Sequence, residues 1–155
     1  MKQLRYLTLA VLLSVSAFAT VATAKTVVVP KMYMFGFAAS FNDSIVHFTE
    51  IQAVDSVWID AKTKFMAGRE NYSYQLRDYL AERVQMPHRT CVVFYNQDRQ
   101  KLEKEYLKMK RIYTTGKKKE KKKDKNTRKS NNDIRILSSG DFQFHTINMR
   151  VETED

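Results

Sequence analysis

The sequence predicts an α/β (α+β) domain: a two-layer sandwich in which a mixed sheet of about four to five strands carries both helices on one face, in the order β-β-α-β-α-β. Three observations lead there. Runs of β-branched and aromatic residues recur at Thr26–Val29, Met32–Phe41, Ile45–Ile51 and Thr90–Tyr95. Two intervening stretches carry an apolar stripe at helical spacing, with Lys, Arg and Glu on their other faces. Strand and helix patterns therefore alternate, which is the signature of crossover connections over a sheet.

The elements follow in order. Thr26-Val27-Val28-Val29 is β-prone and Pro30 interrupts it. Met32 to Phe41 is apolar on both alternating faces, as in a strand covered on both sides. Gly36 within it implies close approach by a neighbour, or a bulge. Asn42-Asp43-Ser44 is a turn cluster, so residues 32–51 read as a β-hairpin. Trp58 and Ile59 fall in a connecting stretch that covers an edge of the core.

Arg69 to Val84 reads as a helix between Gly68 and Pro87. Tyr72, Leu76, Tyr79, Leu80 and Val84 form its stripe. Thr90–Tyr95 suits a central strand. Asn96 then caps a second helix with Leu102, Tyr106, Met109 and Tyr113 on one side. Residues 134–137 resume as a strand, Ser138 to Asp141 is a turn, and Phe142–Ile147 alternates with period two, a further candidate strand.

The first 24 residues have a different purpose. Lys2 and Arg5 precede an uncharged apolar run, Leu7 to Phe18, and Ala22-Thr23-Ala24 places small side chains where a signal peptidase reads. Residues 1–24 are expected to be a signal peptide and residues 25–155 a single mature domain, exported to the periplasm or beyond the cell. The uncharged stretch from Tyr6 to Ala24 approaches the length of a membrane span. Its Thr and Ser residues and its cleavage pattern favour removal, which leaves no stable membrane anchor.

The chain has 155 residues and a formal net charge of +10. That charge is local. Between Lys117 and Lys129, eight Lys and one Arg face Glu120 and Asp124, while the rest of the mature chain is nearly balanced. Residues 117–132 contain no apolar side chain, so a disordered insertion is expected. Lys117, Lys118, Lys119, Lys121, Lys122, Lys123, Lys125, Arg128 and Lys129 form a candidate anion-binding set. No aromatic residue interleaves them, and they do not spread over a folded face. Specific nucleic-acid recognition is therefore not expected.

Catalytic and metal signatures are absent from the sequence. There is no Gly-x-Ser-x-Gly elbow, no phosphate-cradling glycine loop and no His-Glu-x-x-His. His47, His88 and His145 stand apart from one another, and His88 near Cys91 falls far short of a metal site. No cofactor is expected. Cys91, the only cysteine, lies in an apolar run and is expected to be buried and unoxidised. Asp43 and Asp141 would make an acid and a base only if the fold joined them. Asn71-Tyr72-Ser73 matches a glycosylation acceptor but falls on the expected helix. Tyr74 lies off the apolar stripe and is expected at the surface.

Phe35, Gly36, Asn42, Asp43, Ser44, Thr49 and Gln52, with the Tyr-Ser-Tyr-Gln-Leu helix, carry a resemblance. The mature chain resembles small exported proteins of Bacteroidales-type bacteria that have no assigned function. The resemblance implies a periplasmic or surface location and brings no activity or cofactor. The expectation is a non-enzymatic envelope protein, a binding or interaction module. Its alternatives are an electrostatic binder of an anionic polymer or membrane surface through residues 117–129, and a small hydrolase with an unrecognised site. The expected partner is an envelope protein or an anionic polymer.

Overall fold

The computed structural model describes residues 25–115 and 132–148. Residues 1–24, expected to be a signal peptide, and the basic set from Lys117 to Lys129 lie outside the described residues. Seven elements form a mixed five-stranded sheet with two helices, an α+β sandwich of the expected class. They are β1 (Thr26–Ala39), β2 (Ile45–Thr49), β3 (Gln52–Asp60), α1 (Arg69–Glu82), β4 (Thr90–Asn96), α2 (Arg99–Thr115) and β5 (Asp133–Leu137).

β1 organises the sheet. β2, β3 and β4 all pair with it antiparallel, and β5 pairs parallel to β2. Tyr33 faces Ala53 of β3 and Asn96 of β4, so these strands occupy opposite edges of β1. β2 shares the β3 edge. Between the pairs Phe37↔Phe48 and Met34↔Gln52, β1 uses two residues and the opposite chain three, which is a β-bulge.

Gly36 lies opposite that bulge and is also closely approached. A Cβ there would come within 2.6 Å of Leu76 Cδ2 on α1. Its N–H donates to the buried Thr49 Oγ1 at 2.8 Å. Farther along, pairing skips Pro30, which has no N–H, and Ser56 opposite takes φ 55°. The inward alternation changes phase there: Val27, Val29, Val57 and Ile59 join the same core as Met32, Met34 and Val54. The stretch around Trp58 and Ile59, expected as a connection, is thereby part of β3.

The helices lie against different faces of β1, where the sequence reading had both on one. Met32, Met34 and Ala38 cluster with Tyr72, Leu76 and Leu80 of α1. Phe35 and Phe37 cluster with Leu102 of α2. The apolar residues on both alternating faces of β1 are the reason, since each face needs a cover. The α2 side is an aromatic cluster, with Phe35 stacked on Phe94 at 5.0 Å and edge-on to Tyr106.

Helix α1 starts from Gly68 at φ 64° and ends where Gln85 turns left-handed at φ 58°. At α2 the cap is Asp98 rather than Asn96. Asp98 Oδ1 accepts from the N–H groups of Gln100 and Lys101, while Asn96 Oδ1 takes the Asp98 N–H.

Residues 142–148 form no ladder, although their alternation is real. Phe142 and Phe144 are buried, with Gln143 between them and His145 after them exposed. Two side-chain amides stand in for a partner strand. Gln52 donates to Phe142 C=O and accepts from Phe144 N–H. Gln75 does the same at His145, donating to its C=O and accepting from its N–H. Each amide supplies one donor and one acceptor, as a ladder residue would.

Candidate functional site

Two ends of the sheet carry polar chemistry, and they differ. At one end lies the β1–β2 turn. Arg89, just before β4, is buried and reaches across the end of β1. Its guanidinium donates to Ile45 C=O and to Asp43 Oδ2, both at 2.7 Å. Asp43 Oδ1 accepts from Ile45 N–H, which closes the turn. These bonds hold the Asp43 carboxyl below its ordinary range, the Arg89 hydrogen bond first.

Cys91, Ala38, His47 and Arg135 stand in one row across four strands. His47 is 1% exposed and its Nδ1 has no hydrogen-bond partner. Burial, reinforced by the nearby Arg89 and Arg135 charges, pushes the imidazole down to about 4. Cys91 is half-buried rather than fully buried. Burial still pushes its thiol up to about 11, so it is not a nucleophile at neutral pH.

Asp43 and Asp141 are not brought together. Asp43 precedes β2, whereas Asp141 follows β5, whose last residue pairs with the last residue of β2. Asp141 is occupied by the Ser138 hydroxyl and N–H, which lower its pKa. Neither carboxyl keeps a proton to donate near neutral pH, so the pair does not make an acid and a base. Among the described residues no group of three or more His, Cys, Asp or Glu could hold a metal ion, and no helix is long and apolar enough to cross a membrane. Tyr74 is exposed as expected, with the Arg77 guanidinium 4.4 Å from its ring centroid.

The other end holds a cavity of about 410 Å³. β4 leaves β1 at Tyr33↔Asn96, but β1 continues back to Thr26 with β3 on its far edge. Val27, Val29, Met32 and Ile59 form the floor beyond the end of β4. Tyr95, Asn96, Gln97 and Lys64 supply the polar wall. The loop after β3 folds back through an Ile59↔Met66 bridge and holds Lys64 at φ 63°. The Tyr95 hydroxyl oxygen accepts from Met66 N–H at 3.0 Å, which ties that loop to β4.

The donors at this end are only partly used. The Tyr95 O–H, the Asn96 amide NH₂ and the Lys64 ammonium have donor capacity beyond the bonds just described. Asp60 and Asp98, the nearest carboxylates along the chain, are committed to the Thr63 turn and the α2 cap.

Sequence reasoning missed this cavity. β3 and β4 run parallel to one another, and their following helices go to opposite faces of the sheet. The loops that follow them therefore diverge and leave the crevice open between them. The signal was present in the two-sided apolar pattern of β1, which requires a helix on each face. No family model, no curated protein and no solved structure matches the chain.

Proposed function

We propose that this chain is an exported, non-enzymatic binding protein of the cell envelope, acting in the periplasm or outside the cell. Export rests on the charged start, apolar run and Ala-x-Ala pattern of residues 1–24. Binding rests on one observation: the cavity beyond β4, with its apolar floor and its spare hydrogen-bond donors. Its size lies in the range of small-ligand pockets, roughly 300–1,000 Å³, and its mix of apolar lining with few polar groups suits an amphipathic ligand.

The test uses a neutral amphiphile, 4-phenylbutanol, against the chain as recovered from the exporting cell. Its N-terminus is expected at Lys25. Titration should shift the amide signals of Val27, Val29, Ile59 and Tyr95. Val29→Phe, which places a ring in the cavity, should abolish those shifts. Binding that survives in V29F, or an intact Met1 end in the membrane fraction, counts against the reading.

A second reading concerns the basic residues Lys117 to Lys129 as a contact for an anionic polymer or membrane surface. The chain flanking them favours it. Asn132 Nδ2 donates to Tyr113 C=O, so the two ends of the segment meet. Asp133 N–H donates to Ser44 C=O in the β1–β2 turn. Phe41 of that turn is fully exposed, an aromatic in the same turn as the Ser44 carbonyl that Asp133 bonds. Cosedimentation with phosphatidylglycerol vesicles should fall steeply between ~50 and ~200 mM salt and should weaken in Phe41→Ser. Salt-independent binding would remove the electrostatic basis.

A further inference from the structure

We infer that the cavity receives the carboxyl-terminal end of an extended peptide, with the peptide lying along β1 in line with β4. The inference rests on the binding reading above and names the ligand class.

Three observations converge. The first is an open edge. β4 covers β1 only from Tyr33 to Ala39, and from Thr26 to Met32 that edge of β1 has no partner strand among the described residues. Its backbone groups, except at Pro30, which has no N–H, can pair with an added strand. The second is the floor. Val27, Val29, Met32 and Ile59 present an apolar surface beside that edge, sized for side chains of the added segment. The third is charge. Lys64 is the cation in the cavity wall and makes no ion pair among the described residues, while the Tyr95 hydroxyl and the Asn96 amide add neutral donors.

The charge balance sets the class of head group. One ammonium matches one carboxylate. A dianionic phosphate would meet a single cation in the cavity wall, which leaves half of its charge unmatched. An aliphatic acid would fill the floor but leave the β1 edge unpaired. A peptide carboxyl terminus uses the edge, the floor and the charge together.

The experiment compares acetyl-Ala-Val-Thr-Val with a free carboxylate against the same peptide ending in a carboxamide, by calorimetric titration of the chain as recovered. The acid should bind about 3- to 10-fold more tightly than the amide, the range between an exposed ion pair and a charge-assisted hydrogen bond. Lys64→Gln should remove that difference between acid and amide. Amide signals of Val27, Val28, Val29, Lys31 and Met32 should shift with both peptides.

Equal binding of acid and amide to the unaltered chain would overturn the carboxylate assignment. Failure of both peptides while 4-phenylbutanol still binds would overturn the peptide and leave the cavity reading standing. Failure of all three ligands would remove both.

Discussion

The two ends of β1 use the same kinds of residue to opposite effect. At the β1–β2 turn, Arg89, Asp43 and the Ile45 backbone satisfy one another, and Arg89 is buried in doing so. Beyond β4, Lys64, Tyr95 and Asn96 surround open space and retain donors. A closed network raises the cost of any change, because a buried polar group that loses its partner keeps its desolvation penalty. An open set leaves donors free to meet a ligand without breaking bonds inside the protein. The comparison places stability at the turn end and the proposed recognition at the cavity end.

The largest break in that comparison should come from Arg89→Met. It leaves the Ile45 carbonyl and the Asp43 carboxylate without their partner and unclamps the turn from β4. The expected loss is about 3 kcal/mol, the cost of opening a largely buried pair. Urea denaturation measures it. The affinity for a cavity ligand, measured on the folded fraction, should stay unchanged. A loss below about 1 kcal/mol would mean that the turn is held by other contacts.

Next comes pH. His47 has a folded pKa near 4, below its ordinary 6.5. The unfolded chain therefore takes up a proton as pH falls through about 6.5, while the folded chain resists until about 4. Stability is full above 6.5 and declines as pH drops through that window, by about 2–3 kcal/mol at its lower end. The Asp43 contribution is lost only below the ordinary carboxylate range, because its pKa is lowered. The two windows thus separate. His47→Leu should flatten the stability profile between pH 6.5 and 4. An unchanged slope in that variant would assign the titration to another group.

Much of this arrangement is legible in the sequence. The stripe of Tyr72, Leu76 and Leu80, the Thr90–Tyr95 strand, the hairpin turn and the need for space at Gly36 all follow from local pattern. Three things do not. The split of the helices depends on tertiary packing, although the two-sided apolar run of β1 demanded it. The pinning of Phe142 and Phe144 by Gln52, and of His145 by Gln75, joins residues about 70 to 90 positions apart, and no short window contains such a pair. The cavity needs both the early end of β4 and the fold-back at Met66. Its polar residues, Lys64, Asn96 and Gln97, look like ordinary loop residues when read one at a time.

Asp98 gives a smaller effect that separates stability from recognition at the cavity end itself. Asp98→Ala removes the acceptor for Gln100 and Lys101 N–H at the start of α2, at a cost of about 1 kcal/mol. It also removes a negative charge one residue from Gln97. Binding of a carboxylate ligand should hold or strengthen slightly while the melting temperature falls. Weaker binding would show that Asp98 positions the cavity wall and does more than cap a helix.

The last effect has the opposite sign and is expected where the charge is greatest. Asn132 donates to Tyr113 C=O and Asp133 to Ser44 C=O, so both flanks are fixed by bonds outside the basic segment. Residues 117–131 can then be replaced by a linker of about four residues without stretching the chain. Shortening the closed loop about fourfold should stabilise the fold by about 1 kcal/mol, and removing neighbouring like charges acts in the same direction. Affinity for a cavity ligand should not change, since the cavity lies at the far end of β1. Binding to anionic vesicles should disappear. A stability loss above about 1 kcal/mol would show that the basic segment supports the fold. Retained vesicle binding would transfer the anion contact to the folded surface, and the turn end would then share recognition with the cavity end.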